Sequence, residues 1–556
     1  MQISQDAYKA HIVGARGALA KSLGDPKIAE LVTKARAVPA EQWSPEHPVI
    51  KAAVRQMIKA GMLKAGVTTG TGYNFYDLRG PAYLLFPVNT PFIESIRKKG
   101  RVNDGVGTAA HWKATRNPNT TNVYAGVSEG QRNSISTPNE IDYLSTYKEI
   151  GMERGVSFTA DFAGEGYTDN LADEHLRGLF SLRLQEEMMT LLGNSGTAAG
   201  NNGFALGTPA TPTLALKAGL GLTTGTYISV AVVALTGMGL NHGGQGGYGA
   251  TPTVAGGLTP SYTRTNADGT TTAVNGGTSA ISAMSAVLQT TAGNDQVVAT
   301  VAAIKGACGY AWFVDSTDNV TGSLANAKLA AITPGPTYTI AALPAGTQVG
   351  SAAGLNTDSS FQATDFDGLL TYAFTQGLWT DMAGGGFTSL NNGQVSELET
   401  DLESIWVNYQ ANVQTIWCSA DVKRQLQAAI IAAAGSGAVP AYRFGYDRDS
   451  QNNLTGGFVV SGYLSAYSMN PNGSEVIPIR VHPALPPGTL YYDVSTNPYP
   501  HSRIPAVREF LTQRDYYSIE WPVVTRQWTF GTYIHEVLAH YAPWITGVRT
   551  GIGTGT

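Results

Sequence analysis

Charge is what the middle of this 556-residue chain lacks. Between residues 209 and 357 the only lysines, arginines and acids are Lys217, Lys305, Lys328, Arg264, Asp268, Asp295, Asp315 and Asp318, and glutamate is absent. A polar, uncharged stretch full of Gly, Thr, Ala and Val does not build salt-bridged helices. It reads as an all-β module set into a host that resumes beyond it. Cysteine is almost missing too. Cys308 and Cys418 fall in different expected modules, which argues against a structural disulfide and for two small buried side chains. No run of 18 apolar residues occurs, so no membrane-spanning helix is expected. The opening MQISQDAYKAHIVG has no basic stretch followed by an apolar core, so no signal peptide is expected either. Charged residues make up 14% of the chain, against about a quarter in ordinary soluble proteins. Surfaces covered by neighbours, or much β and turn structure, would account for that. A net charge of −5 argues against a general nucleic-acid binder.

Chemical motifs are equally scarce. Gly244-Gln-Gly-Gly-Tyr-Gly249 has dinucleotide-loop spacing, but ATPTVAGGLTP follows it and cannot start the helix that would present amides to a pyrophosphate. His535-Glu-Val-Leu-Ala-His540 is one residue too long for a zinc-protease signature, which needs histidines four apart on one helix face. Read as a strand, it points Glu536 and His540 one way and His535 the other. Asp315-Ser-Thr-Asp lacks the glycine of a calcium loop. No P-loop, nucleophile elbow or paired CxxC occurs, so no catalytic residue, cofactor or metal is expected.

What is present is architectural. Residues 1–65 hold ten lysines and arginines against five acids in short helices broken by Pro26, Pro39, Pro45 and Pro48. That pattern suits solvated helix faces or an arm near anionic material such as packaged DNA. From Asp104 to about Glu149, TAAHWKAT and DYLSTYKEI flank a Gly/Ser/Asn-rich middle, as in a long hairpin with a solvated tip. His111, Lys113 and Thr115 face one side, and Ala110, Trp112 and Ala114 the other. Such a ribbon has no core and must lie on another surface or another subunit. Asp169 or Thr168 then caps a helix that Gly193 ends, with Ala172, Leu176, Leu179, Phe180, Leu184, Met188, Leu191 and Leu192 at helical spacing. About 24 residues would make a beam of about 36 Å. In the uncharged block, TYISVAVVAL, QVVATVAAI, YAWFV and TYTIAAL are strand-like, and Asp268-Gly269 turns a hairpin. Its roughly 150 residues exceed the ~100 of a simple immunoglobulin sandwich, so an excursion around 238–295 is expected. Beyond it come a helix in TDFDGLLTYAF capped by Thr364 or Asp365, a helix over about 394–408, the strand TIWCS, and a helix from Ser419 to Gly435. GGFVVSGYLSAYSM and EVIPIRVHP read as strands, followed by a long aromatic β return.

This order, with NTPFIESIRKKGRVNDG before the hairpin, GMERGVSFTADFAGEGYTDNLADEHLRGLFSLRLQEEMMTLLGN, TIWCSADVKRQL and the final QRDYYSIEWPVVTRQWTFGTYIHEVLAHYAPWITGVRTGI, resembles the major capsid proteins of tailed bacteriophages, the Hong Kong 97-like fold. The resemblance spans about 60–200 and 360–552 and rests on order and local character. It implies an α+β chain: an N-terminal arm (1–65), extended loop and peripheral domain with spine helix (66–208), an immunoglobulin-like insertion (209–357), an axial domain (358–500) and peripheral return strands (501–556). It implies a non-enzymatic virion protein that self-assembles as pentamers and hexamers into an icosahedral shell. Partners would be neighbouring subunits, a scaffolding or decoration protein and, on the inner face, packaged DNA held non-specifically. Alternatives are a secreted β-rich surface or glycan-binding protein and an encapsulin-like compartment shell.

The expected intersubunit contacts are Trp112, Lys113, Glu129, Gln131, Arg132 and Asn133 in the hairpin. Some members of this family join an extended-loop lysine to a peripheral-domain asparagine. Lys113 supplies one half here, but no asparagine occurs from Pro498 to Thr556, so non-covalent locking is expected. The insertion is expected as a neutral decoration on flexible Gly/Pro hinges.

Overall fold

The structure, a computed structural model, describes residues 90–100, 107–117, 124–164, 169–242, 252–291, 296–317, 320–390, 393–435, 460–465, 467, 469–470, 473–474, 476–499 and 506–553, with positions 30, 34, 37, 48, 49 and 52. The chain divides into two compact units, Met1–Tyr83 and Leu84–Thr556. In the first, Glu30 and Lys34 are helical and form an i,i+4 ion pair at 2.8 Å. Most of the rest of the proline-broken arm and the 244–249 glycine run lie outside the described residues.

The second unit starts with helix α1 (Pro91–Ser95) and the two-residue strand β1 (Arg97–Lys98). The hairpin strands β2 (Ala109–Asn117) and β3 (Asn139–Thr146) follow, then β4 (Lys148–Ser157), α2 (Phe158–Gly164) and the long helix α3 (Asn170–Leu192). The ends of α3 are those its sequence announces. The Asp169 carboxylate accepts from the Ala172 N–H at 3.0 Å, and the Gly193 N–H closes the last turn on Met189 O. Its buried stripe matches the expected one only toward its C-terminus, at Met188, Leu191 and Leu192. Ala172, Leu176 and Phe180 are exposed, and the buried positions are Gly178, Leu182, Glu186, Glu187, Met188, Thr190, Leu191 and Leu192. The reason is a polar underside. At Gly178 the helix rides over Arg154 of β4, which donates to Ser181 Oγ, and further along two glutamates are buried with partners of their own.

The uncharged block contains β5 (Thr213–Lys217), β6 (Tyr227–Leu235), the short helix α4 (Gly237–His242), a hairpin of β7 (Ser261–Thr265) and β8 (Thr271–Asn275), then β9 (Leu288–Gln289), β10 (Gln296–Thr300), β11 (Gly309–Asp315), β12 (Lys328–Thr333) and β13 (Thr337–Ile340). Two antiparallel sheets result, ordered β13-β10-β5 and β12-β11-β6-β9. Asp268 and Gly269 (φ +83°) sit in the β7–β8 turn as expected. The sandwich is thus present in kind, but its strand order departs from the immunoglobulin arrangement. There the first two strands share a sheet; here β5 and β6 lie in different ones.

The sandwich is also not a free decoration on hinges. β6 and β11 are buried on both faces. Val230, Val232, Ala234, Tyr310, Trp312 and Val314 meet Val297, Ala299 and Ile340 of the smaller sheet. Ala231, Val233, Leu235, Ala311 and Phe313 join the core that also holds Leu192, Phe366 and Trp417. A Cβ placed on Gly237 would meet Leu192 at 2.7 Å and Pro486 at 3.0 Å. The two connecting stalks are clamped by side chains. Asp367 accepts from Ser195 N, Ser195 Oγ and Asn202 N, and the Asn194 amide bonds both Phe204 O and Ser360 O.

The outer edge of β6 is closed in an uncommon way. Ser279, Ser282 and Ser285, three residues apart, face Ala234, Val232 and Val230, two residues apart. Each serine N–H donates to the strand carbonyl while its Oγ accepts from the same strand residue's N–H at 2.8–2.9 Å. Each Oγ–H then turns to the carbonyl of the following alanine. Two strand residues span about 6.8 Å, so the serine segment is compressed and its hydroxyls replace the main-chain acceptors that the three-for-two register leaves out of reach.

After the block come α5 (Leu369–Thr375), β14 (Leu378–Asp381), α6 (Ser396–Tyr409), β15 (Thr415–Cys418), α7 (Ala420–Gly435), β16 (Gly462–Tyr463), β17 (Met469–Asn470), β18 (Gly473–Ser474), β19 (Ile477–Val481), β20 (Leu490–Asp493), β21 (Arg508–Glu520), β22 (Gln527–His540) and β23 (Gly547–Thr550). A six-stranded sheet runs β14-β23-β20-β15-β19-β16, and a four-stranded one β1-β21-β22-β4 carries α3. Helix α5 starts at Leu369 rather than at the expected Thr364 or Asp365, because Asp367 is turned away to Ser195 and Asn202 and Gly368 takes the cap position. Among the described residues, GGFVVSGYLSAYSM supplies only the short β16 and part of β17.

Candidate assembly surface

The hairpin has two unlike parts. At its root, Ala110, Trp112 and Ala114 are buried while His111, Lys113 and Thr115 are exposed, the alternation read from the sequence. Trp112 stacks on Tyr143 at 5.6 Å and donates its indole N–H to His540 O at 3.2 Å. Tyr143 donates to Gln376, and burial pushes its hydroxyl up to about 12. Trp112 was expected at an intersubunit contact; it belongs instead to the chain's own core. Lys113 points outward, 3.5 Å from Asp142 and 4.0 Å from Glu140 on β3. Exposed pairs of this kind contribute little stability.

The tip spans residues 124–137 without strand pairing. Gly130 (φ +77°) turns it, and the Asn133 amide donates to Tyr124 O at 2.8 Å while its oxygen accepts from Ser134 N. Asn133 therefore organises its own loop, and Glu129, Gln131 and Arg132 are exposed beside it. Sequence reading passed over two larger features: Tyr124 and Ile135 are 85% and 88% exposed. The signal was apolar side chains inside an otherwise polar loop.

A second apolar surface lies at the β21–β22 turn. Trp521, Val523, Val524 and Trp528 are exposed, as is Phe162 on α2. Phe158 meets Trp528 edge-on at 5.1 Å, and its N–H donates to Arg526 O, which ties α2 to this turn. Contiguous exposed aromatic and aliphatic side chains mark surfaces that a partner covers.

The segment that leads to the hairpin is held from inside. Glu187 of α3 accepts from the Phe92 and Ile93 N–H groups at 2.9 Å each and bonds His482 Nε2 at 3.0 Å. Because His482 Nδ1 accepts from Ala484 N, its proton sits on Nε2 and is donated to the glutamate. The carboxylate thus caps the first turn of α1 from another element. In β22 the strand reading of HEVLAH holds. His535 faces Glu149 at 3.2 Å and Tyr517 at 2.7 Å, while Glu536 and His540 are buried on the opposite face. Burial, then the nearby Arg508 charge, pulls His540 down to about 3. Among the described residues no group of His, Cys, Asp and Glu is placed to hold a metal.

No protein-family model matches the chain, and no curated protein matches it. Solved structures do. The capsid of Myoviridae Phage XM1 aligns with a TM-score of 0.33 at 8% identity over 86% of this chain and 97% of that one. The cyanophage A-1(L) capsid asymmetric unit gives 0.36 at 9% over 87% and 98%, and the cyanophage Pam1 capsid asymmetric unit 0.34 at 10% over 88% and 98%.

Proposed function

We propose that this chain is a major capsid protein of the tailed-phage kind, a non-enzymatic shell subunit arranged in the Hong Kong 97-like manner. The observation that carries the reading is the hairpin. Its root is bolted to the chain's own core through Trp112 and Tyr143, while its tip presents Tyr124 and Ile135 to solvent. A ribbon fixed at one end and apolar at the other is suited to reach a neighbouring copy. A contact between two different patches on identical copies is heterologous, and it builds rings or lattices rather than dimers. The stiff α3 beam and the apolar β21–β22 turn suit the same use. The shell would be icosahedral, of pentamers and hexamers, enclosing double-stranded DNA in the virion, with scaffolding or decoration proteins as further partners. Residues 209–357 are the insertion, fused to the axial region and immunoglobulin-like only in its two-sheet construction.

Electron microscopy of the expressed chain tests this. Closed particles are expected, and a Tyr124→Ser/Ile135→Ser double variant should stay folded but fail to close. Particles boiled in detergent should give a single band at monomer mass, since Lys113 has no asparagine acceptor in the return strands. Monodisperse monomer under all assembly conditions, including co-expression with phage partner proteins, would overturn the reading.

A further inference from the structure

A buried cluster beneath α3 holds more negative charge than its one cation balances. Glu186 of α3 and Glu536 of β22 are both fully buried. Lys98 of β1 reaches in between them, with Nζ 2.8 Å from Glu186 and 3.4 Å from Glu536. Tyr516 of β21 donates its hydroxyl to Glu186, and Lys98 lies 4.3 Å from the centre of the Tyr516 ring. The other charged groups on the surrounding elements are committed elsewhere or more distant: Arg97 of β1 and Lys99 just after it each lie 3.9 Å from Glu509 of β21, and Glu187 of α3 takes the α1 amides and His482. Arg183 of α3 is 3.7 Å from Glu94. Lys148, the β4 register partner of Glu536, donates to Ala363 O. Arg508, nearer the end of β21, forks onto Asp493. His540, four residues along β22, is held neutral by burial.

Two carboxylates cannot both ionise in such a site beside one ammonium without a large desolvation and repulsion cost; retaining one proton removes it. We propose that Glu536 keeps a proton in the folded chain and forms with Glu186 and Lys98 a pH-responsive clasp between α3 and β22, closed while the proton is held and loosened when its loss sets two buried carboxylates against each other. The direction agrees with the environment of Glu536, whose carboxyl is raised well above the ordinary range by burial first and by Glu186 second. The joint that would respond is the packing of α3 on β22, because Glu186 and Glu536 project from those two elements. The clasp is a property of the chain's interior and stands independently of the shell reading.

The sign follows from linkage. A carboxyl raised in the folded state keeps its proton there after the unfolded chain has lost it. Stability is therefore full below the ordinary glutamate range and declines as pH rises toward the raised value. Glu536→Gln keeps the shape and fixes the neutral state. Denaturant unfolding of the full chain between pH 5 and 9 should show the wild-type folded-to-unfolded ratio falling about tenfold per pH unit relative to the variant within that window. Amide exchange in β22 beside Glu536, corrected for intrinsic base catalysis, should accelerate with pH in the wild type alone. Parallel stability profiles, or equal β22 protection, would overturn the proposal. If the variant does not fold, infrared spectroscopy of the wild type decides: the carbonyl band of a buried neutral carboxylic acid should be present near pH 6 and vanish as pH rises, and its absence would overturn it.

Discussion

The sheet beneath α3, with the six-stranded sheet, and the doubly covered sheet of the sandwich are both deeply buried, yet their polar contents differ. Among the described residues, the host interior combines buried hydroxyls such as Thr190, Thr512 and Thr546 with a large charged set: Glu186, Glu187, Asp367, Asp401, His482, Asp493, Arg508, Glu509, Glu536, His540 and Arg549. The sandwich and its covering segment contain Ser229, Thr236, Thr278, Ser279, Ser282, Ser285, Thr290 and, among the described residues, a single buried acid, Asp315. The host joins segments far apart in sequence, and it does so with charges that must find one opposite partner. The sandwich closes locally with hydroxyls that can both donate and accept. A charged joint fixes a specific arrangement and depends on protonation; a hydroxyl joint is nearly indifferent to pH.

The largest effect that separates the two should come from breaking a host ion pair. Asp401 accepts from Arg549 Nε at 2.7 Å and Nη2 at 2.8 Å, and from the Tyr492 hydroxyl at 2.7 Å. Arg549→Met strands that carboxylate and should cost about 3–5 kcal/mol in denaturant unfolding. Adding Asp401→Leu should restore much of the loss. A single-variant loss below about 1 kcal/mol would mean that the pair does not organise the host.

Acid should come next. The unfolded chain protonates His540 below its ordinary 6.5, whereas the folded chain resists until about 3. Its share of stability is therefore present above 6.5 and declines as pH falls through that interval, by about tenfold in the folding ratio per pH unit. His540→Leu should flatten this slope. In the sandwich, burial raises Asp315, but bonds from Thr317 and Ser323 outweigh it and leave the carboxyl lowered. On acidification, protection in β22 should accordingly be lost at a higher pH than in β11, which Asp315 ends. The reverse order would break the comparison.

The smallest effect belongs to the serine contacts. Ser282→Ala leaves the buried Val232 N–H without its acceptor and should cost about 1–3 kcal/mol. The loss should be the same at pH 5 and pH 8, and a pH-dependent loss would contradict the hydroxyl account.

Much of the frame was legible in the sequence because it is written locally. Asp169 and Gly193 bracket α3, and the alternation of Ala110, Trp112 and Ala114 identifies the packed face of the hairpin. The burial of Glu186 and Glu187 was not legible. Apolar periodicity ignores acids, and their partners Lys98, His482 and Tyr516 lie 88, 295 and 330 residues away. The fusion of sandwich and host did leave a mark. YISVAVVAL, apart from Ser229, and YAWFV are continuous apolar runs rather than alternating ones, the pattern of strands covered on both faces. A freely hinged module would have shown alternation on its outer sheet. The sequence marks the ribbon as one unit, and only the tertiary fold separates Trp112 at its packed root from the exposed tip.

The three-for-two serine segment along β6 has a consequence of another kind. An open sheet edge offers a ladder that any copy of the same strand can extend, two residues against two. Here the ladder's acceptors and donors are already matched by a segment of different pitch, so an incoming strand would meet no free rungs in phase with its own. Wherever many copies of this chain are held shoulder to shoulder at high local concentration, this edge offers no template for strand exchange between them.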